Sequence, residues 1–240
     1  MRLEVKNISK KHNNKFILKD FSISVNSGEI VAIFGPNGAG KTTSFYIMSG
    51  VIKATSGTIK IDNQDITNYP LYVRAKLGIG YLPQETTIFN DLSVEKNIQI
   101  ALEIKYKHNK VLIEEKTEQL LNEFNLQHIR KNLCGALSGG EQRRVEIARI
   151  LAIGPSFLLL DEPFSGIDPI TIENIQNIIK ELKRKNIGII ITDHNIRETL
   201  HIVDKVYVLC GGEIIFSGTP DEFAKNDKVK NIYLGSNFDF

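Results

Sequence analysis

Ile30-Val-Ala-Ile-Phe34-Gly35-Pro36-Asn37-Gly38-Ala39-Gly40-Lys41-Thr42-Thr43 is the stretch that decides the fold. Its first five residues are apolar and β-prone, the run stops at Gly35-Pro36, and the remainder satisfies the pattern GxxxxGK[ST]. A strand that opens into a glycine-rich loop and then a helix is a phosphate cradle. The glycines let backbone N–H groups turn inward around phosphate oxygens, and the helix adds its positive end. Gly35, Pro36, Asn37, Gly38, Ala39, Gly40, Lys41, Thr42 and Thr43 are therefore the candidate phosphate-binding residues. Lys41 is placed to reach the β and γ phosphates and the Thr42 hydroxyl to ligate Mg2+.

Working outward, residues 3–8 and 21–25 have strand character, and 30–34 reads as a sheet edge leading into the loop. Residues 57–61 and 79–82 complete a first block of strands. From about Ser93 to Ala152 the pattern changes to helical periodicity, as in an inserted helical subdomain. Beyond Gly154-Pro155, residues 157–160 and 187–192 are unbroken apolar runs, expected of parallel strands covered on both faces. Between them Asp168-Pro169 supplies an N-cap and a first-turn proline for a helix carrying Ile172, Ile175, Ile178, Ile179 and Leu182 on one face. Strand, helix, strand implies a right-handed crossover. Residues 206–209 and 213–216, joined through Gly211-Gly212, read as a hairpin, followed by a short helical tail ending in Tyr233-Leu-Gly-Ser-Asn-Phe-Asp-Phe240.

Two further stretches carry chemistry. Asp161 and Glu162 follow the apolar run 157–160, at the end where parallel sheets bind ligands. Asp161 would hold Mg2+ through its water shell. Glu162, on the other side of the strand end, would polarise an attacking water, although acidic residues there also serve as caps and turns. Leu137-Ser138-Gly139-Gly140-Glu141 contains a capping box, Ser-x-x-Glu. Capping leaves the paired glycines unexplained: they lower helix propensity but let an anion approach the exposed N–H groups, which favours phosphate binding.

Composition narrows the field. In 240 residues, 30 basic side chains nearly balance 28 acidic ones, so no polyanion-binding surface and no nucleic-acid partner is expected, and Lys183-Arg184-Lys185 reads as a solvated face. Cys134 and Cys210 lack metal or redox spacing and read as small buried thiols of a reducing compartment. No apolar run reaches the length of a leader or a membrane span, so membrane association is expected only through partners, and the Asn-x-Ser sequon at Asn7 is a chance match.

LSGGE lying between a GxxxxGK[ST] loop and an acidic strand end resembles the signature of ABC transporter ATPases, commonly LSGGQ, and the resemblance covers essentially the whole chain. It implies an α/β fold: a P-loop NTPase core with a mixed, mainly parallel sheet, an N-terminal antiparallel β subdomain and an inserted α-helical subdomain. The expected division is residues 1–83 and 155–225 for the core and β subdomain, 84–154 for the helical subdomain and 226–240 for the tail. It further implies a homodimer in which Ser138, Gly139, Gly140 and Glu141 of one copy close over nucleotide held by the other. Residue by residue, Gln84 matches the glutamine that meets Mg2+ and the membrane subunit, Ser165 to Asp168 the D-loop, and His194 the γ-phosphate histidine. His12 matches the aromatic residue that stacks on adenine, with Phe16 nearby as a substitute; imidazole is the smaller surface, so weak base discrimination is expected.

The wording GIGYLPQE from Gly78, LSGGEQRRVEIAR from Leu137, LDEPFSGIDP from Leu160, TDHNIRET from Thr192 and the Tyr-Leu-Gly tail is similar to the ATPases of lipopolysaccharide export. Branched-chain amino-acid importer ATPases are the nearest rival, and a soluble ABC ATPase the other alternative. The resemblance implies ATP hydrolysis with Mg2+ as cofactor, a place on the cytoplasmic face of the inner membrane, and integral membrane subunits whose coupling helices dock around Gln84 and Phe89. Phe89 equally fits a core position, and Asn90 replaces a residue that is often basic. Residues 98–124 are too short for the heptad-rich insertion of DNA-repair relatives, the chain has one cassette rather than two, and Glu162 separates it from degenerate scaffolds.

Overall fold

A computed structural model describes residues 1–107 and 109–226; the expected tail ending at Phe240 lies outside the described residues. The strands are β1 (Arg2–His12), β2 (Lys15–Asn26), β3 (Ile30–Phe34), β4 (Ser56–Ile61), β5 (Gln64–Asp65), β6 (Ile79–Leu82), β7 (Phe157–Asp161), β8 (Gly188–Thr192), β9 (Lys205–Cys210) and β10 (Glu213–Gly218). The helices are α1 (Lys41–Ser49), α2 (Leu71–Lys76), α3 (Val94–Tyr106), α4 (Lys110–Glu123), α5 (Gly139–Ala152), α6 (Pro169–Arg184), α7 (Ile196–Leu200) and α8 (Pro220–Lys225).

The strands divide between two sheets. One is antiparallel, in the order β2-β1-β4-β5; the other runs β10-β9-β3-β8-β7-β6, parallel except for β10. Two sequence expectations change here. Residues 30–34 are not an edge: β3 lies between β9 and β8 with every residue buried, as its unbroken apolar run requires of a strand packed on both faces. Residues 57–61 and 79–82 do not belong together either, since β4 joins the antiparallel sheet and β6 closes the far edge of the parallel one. Both are short apolar runs, and periodicity carries no information about which sheet a strand joins.

The parallel sheet is the wall between two cores. Ile30, Ala32 and Phe34, with Leu158, Leu160, Ile189 and Ile191, face the helices α3 to α6. Val31, Ile33, Phe157, Leu159 and Ile190 face α1 and the antiparallel sheet. This is the period-two alternation of a strand used on both sides, and each fully buried aliphatic side chain in it contributes about 1.5–3 kcal/mol of transfer free energy. Asp168 caps α6 by accepting from Thr171 N at 3.0 Å, Pro169 opens the first turn, and Ile172, Ile175, Ile179 and Leu182 are buried beneath it, with Ile178 half-buried at the margin. Cys134 is buried, and burial pushes its thiol up to about 11; Cys210 is only half-buried, and both are free thiols.

Candidate functional site

The C-terminal ends of β3, β7 and β8 open on one cleft of about 490 Å3, lined by Ile17, Asn37, Gly38, Gly40, Lys41, Thr42, Thr43, Gln84, Glu162 and His194. α1 begins at its floor. Its N-cap is Gly40, which has no side chain to bond the first-turn N–H groups, and no acidic residue occupies that turn; the orphan donors and the positive helix end are left for a ligand. Gly38 is needed for its conformation, with φ 77° and nothing within 4 Å of a would-be Cβ. Gly40 is needed for space as well, because a Cβ there would lie 2.8 Å from Leu18 Cδ2 and 2.9 Å from the Ile17 carbonyl oxygen. Gly35, Pro36 and Ala39 form the inner turn of the loop, where Lys41 Nζ donates to the carbonyls of Gly35 at 2.6 Å and Pro36 at 3.2 Å. Burial lowers the Lys41 pKa, opposed by the negative charges of Glu162 and Asp161.

Opposite the loop, Glu162 and His194 meet: Glu162 Oε1 is 2.7 Å from His194 Nε2. Glu162 has a left-handed backbone, φ 50°, a costly conformation for a residue with a Cβ and one that persists only when its surroundings hold it. Here its N–H donates to the Thr192 carbonyl at 2.7 Å and its carbonyl accepts from Arg143 Nη2 at 3.3 Å. Asp161 lies deeper. Its Oδ1 accepts from Thr192 Oγ1 at 2.6 Å, while the buried Oδ2 and the Tyr81 hydroxyl interact with each other without reaching the geometry of a full hydrogen bond. Burial pushes the Asp161 carboxyl up, partly offset by the Thr192 hydroxyl, and the same burial, with the Asp161 charge, pushes the Tyr81 phenol up.

The donor set fits a hard cation. Thr42, Gln84 and Asp161 offer hydroxyl, amide and carboxylate oxygens, and the buried Asp161 Oδ2, which no donor bonds at full hydrogen-bond geometry, is the kind of atom that a metal-bound water satisfies. An ion such as Mg2+ takes one or two carboxylates plus substrate phosphates rather than a cage of protein side chains alone; among the described residues no group of three or more His, Cys, Asp and Glu side chains gathers.

Several sequence-predicted residues lie outside the cleft. Ser138, Gly139, Gly140, Glu141, Ser165, Asp168, His12 and Phe89 do not line it. The capping box at α5 forms in full: Ser138 Oγ accepts from Glu141 N at 3.4 Å, and Glu141 Oε2 accepts from Ser138 N at 2.9 Å and Ser138 Oγ at 2.8 Å. The two glycines separate. A Cβ on Gly140 would sit 2.3 Å from Thr171 Cγ2, so packing against α6 accounts for that glycine; at Gly139 the nearest atom would be 3.9 Å away. His12 ends β1 beside the Asn13-Asn14 turn, exposed, and Phe16 is 41% exposed with Lys11 Nζ 4.5 Å from its ring centroid; the neighbouring Ile17 is the residue that reaches the cleft. Phe89 is 48% exposed, with the Arg149 guanidinium 5.0 Å from its centroid, and is thus not a core residue.

Other residues were missed by sequence reasoning. Arg143 is buried and donates to the carbonyls of Pro83 at 3.1 Å, Asp161 at 3.2 Å and Glu162 at 3.3 Å, and pairs with Glu146 at 3.1 Å. Glu146 in turn accepts from Thr87 N at 2.6 Å. Asp193 accepts from Phe164 N at 2.9 Å and Asn195 N at 2.8 Å, tying the loop after Glu162 to the loop of His194; burial pushes its carboxyl up, against those bonds. The i, i+3 spacing of Arg143 and Glu146 was visible, but such a pair reads as readily on a solvated face. Beside the cleft an apolar groove of about 400 Å3 runs over α2 and α5, lined by residues including Val51, Leu71, Ala75, Tyr81, Pro83, Thr87, Arg149 and Ile153. Neither Gln84 nor Phe89 is among its lining residues.

With that geometry in view, the kinship is specific. The family model for ABC transporter matches residues 18–165. The lipopolysaccharide export system ATP-binding protein LptB of Haemophilus influenzae is 48% identical over 236 residues, 98% of each chain. Among solved structures, a nucleotide-free ATP-binding cassette from an ABC transporter superposes with a TM-score of 0.89 at 31% identity, covering 98% of this chain and 100% of that one. A dimeric cassette in a post-hydrolysis state with ADP and Pi superposes at 0.80 and 27% identity, covering 91% and 98%. The fold agrees with the comparisons, and the chain belongs to the ABC transporter family, as one of its ATP-hydrolysing subunits.

Proposed function

We propose that this subunit powers lipopolysaccharide export, working as a homodimer on the cytoplasmic face of the inner membrane and joined to integral membrane subunits. The observation that carries the dimer is the division of its site: Lys41, Glu162 and His194 share one cleft, whereas Ser138 and the open flank of Gly139 lie outside it. A second copy in head-to-tail orientation supplies the missing wall. The near full-length likeness to an export ATPase supports the cargo.

In this reading residues 84–154 form the helical subdomain, set against a core of 1–83 and 155–225. Asn37 to Thr43 cradle the phosphates, Ser138 to Glu141 of the other copy close over them, and Ser165 and Asp168 meet across the interface. His12 stacks on the base, with Phe16 the substitute. Glu162, held by His194 and by Arg143 through its carbonyl, orients water for in-line attack and accepts its proton; most of the acceleration comes from positioning and charge stabilisation. Thr42, Gln84 and Asp161 would hold Mg2+, which when bound neutralises phosphate charge. The coupling helices of the membrane subunits dock around Gln84 and Phe89 and reach into the neighbouring apolar groove over α2; no described helix is itself long and apolar enough to cross a membrane.

Specific ATPase activity measured across a dilution series tests the shared site. It is expected to fall as the dimer dissociates, and a monomer verified at working dilution that hydrolyses ATP as fast as concentrated protein refutes it. Integral proteins co-purified with the tagged chain test the cargo: amino-acid permease subunits would overturn lipopolysaccharide export and leave the ATPase intact.

A further inference from the structure

Arg74 is 2% exposed and is among the largest fully buried side chains of the protein. Its guanidinium bonds only to backbone carbonyls: Nη1 to Ile47 at 2.6 Å and Met48 at 2.8 Å, Nε to Tyr69 at 2.8 Å, and Nη2 to Thr67 at 2.7 Å. Ile47 and Met48 are the last turn of α1, whose first turn is the phosphate loop. Desolvation lowers the pKa of Arg74 to about 10, eased by the charge of Asp65, so it stays protonated at neutral pH.

A buried cation without a contacting carboxylate is expensive, and well-packed apolar side chains are often the more stable choice at such a site. What the guanidinium adds is direction. Its planar fork fixes the negative end of α1 against the 67–69 segment, at an angle that a flexible ammonium would not impose. The joint is tight: Gly50, which ends α1 at φ 86°, would place a Cβ 2.9 Å from the Tyr69 carbonyl oxygen and 3.0 Å from Arg74 Nε. The same short helix α2 that carries Arg74 turns Leu71 and Ala75 into the apolar groove, and Val51, one residue beyond Gly50, lines that groove too.

We propose that Arg74 is a positioning residue joining the groove to the phosphate-binding helix, so that a membrane subunit seated over α2 sets the placement of Lys41 and Thr42 through the length of α1. This rests on the groove being the seat of the membrane subunits, and it adds a route through the far end of α1 to the adjacent one through Gln84.

The full chain carrying Arg74→Lys, which keeps the charge and loses the fork, provides the test, with Gly50→Ala as a second disturbance of the same joint. Leu121→Ala, in the other core, serves as a control for lost stability. In the isolated protein both joint variants are expected to raise the KM for ATP by about tenfold, the scale on which small displacements of reacting groups act, while the control keeps the wild-type KM at a comparable drop in Tm. In the complex with co-purified membrane subunits, their stimulation of the ATPase is expected to be lost in Arg74→Lys and kept in the control. Folded joint variants whose KM and stimulation match the control would reduce Arg74 to a structural staple. Retention of the membrane subunits by Leu71→Asp would instead overturn the groove as their seat, and the KM of the isolated variants does not depend on that result.

Discussion

Two described helices have a glycine at the N-cap or just after it, and they begin differently. α1 is capped by Gly40, which supplies no side-chain bond, and Lys41, Thr42 and Thr43 of its first turn line the cleft. α5 starts at Ser138 with a complete capping box and lies outside that cleft. The bare end is open to an anion within its own chain. The capped end has satisfied part of its own hydrogen bonding, and at its Gly139 flank a Cβ would meet nothing closer than 3.9 Å. A glycine next to a helix start is therefore not one signal: Gly38 is there for its backbone angle, Gly40 for angle and space, Gly140 for the methyl of Thr171, and Gly139 for nothing inside this chain.

Substitutions can break that contrast, the largest effect coming from the bare end. Gly40→Ala forces a Cβ into Leu18 and the Ile17 carbonyl at φ 108°, displacing the α1 terminus, and is expected to lower kcat/KM for ATP by ~100-fold or more; near-wild-type turnover would remove the uncapped helix end from the mechanism. Gly139→Ala meets only an ordinary contact in its own chain, Ile167 Cγ2 at 3.9 Å. It should leave Tm unchanged and lower hydrolysis by about tenfold, through the crowding of a nucleotide held by the other copy. Gly140→Ala is expected to do the reverse, costing about 1–3 kcal/mol of stability by overpacking against Thr171, with partial recovery in Gly140→Ala combined with Thr171→Ser, which deletes the crowded methyl and keeps the hydroxyl that bonds Asp168. Equal effects of Gly139→Ala and Gly140→Ala on stability would erase the distinction between them.

The smallest expected effect sharpens the cleft side of the comparison. Burial raises the folded pKa of Asp161, so stability is fully present while the carboxyl is neutral in both states and is lost as pH rises through the raised folded value. At neutral pH Asp161→Asn relieves that ionisation and should raise Tm by about 2–4 °C, a gain that shrinks as the pH is lowered into the carboxylate range. Thermal melts at several pH values check the sign: a lower Tm for Asp161→Asn at neutral pH would contradict it. The gain in stability accompanies loss of the buried charge suited to a divalent cation, the usual cost of a functional carboxylate.

Much of this was legible in the chain. GxxxxGK[ST] after an apolar strand, a carboxylate pair after another, and Asp168-Pro169 ahead of an amphipathic run are local patterns, and local patterns are what propensity, capping and period report. The helix starts at Ser138 and Asp168 and the strand at 79–82 lie where the residues place them. What stayed hidden was every relation between distant segments. Nothing in GGEQRR singles out Arg143 until α5 is laid across the ends of β6 and β7, and nothing in the sequence singles out Arg74 until the end of α1 is set over it.

The sequence alone determined most of which segments become strand, loop and helix, and which residues carry groups suited to phosphate, a cation and water, because those properties reside in side-chain chemistry and backbone freedom over a few neighbouring residues. Tertiary structure alone decided that β3 is central, that Glu162 meets His194 while Ser138 stands apart, and that Gly140 answers to Thr171. Those outcomes depend on long-range packing and burial, where one contact is chosen over many by steric fit and by the high cost of leaving a buried polar group unpaired.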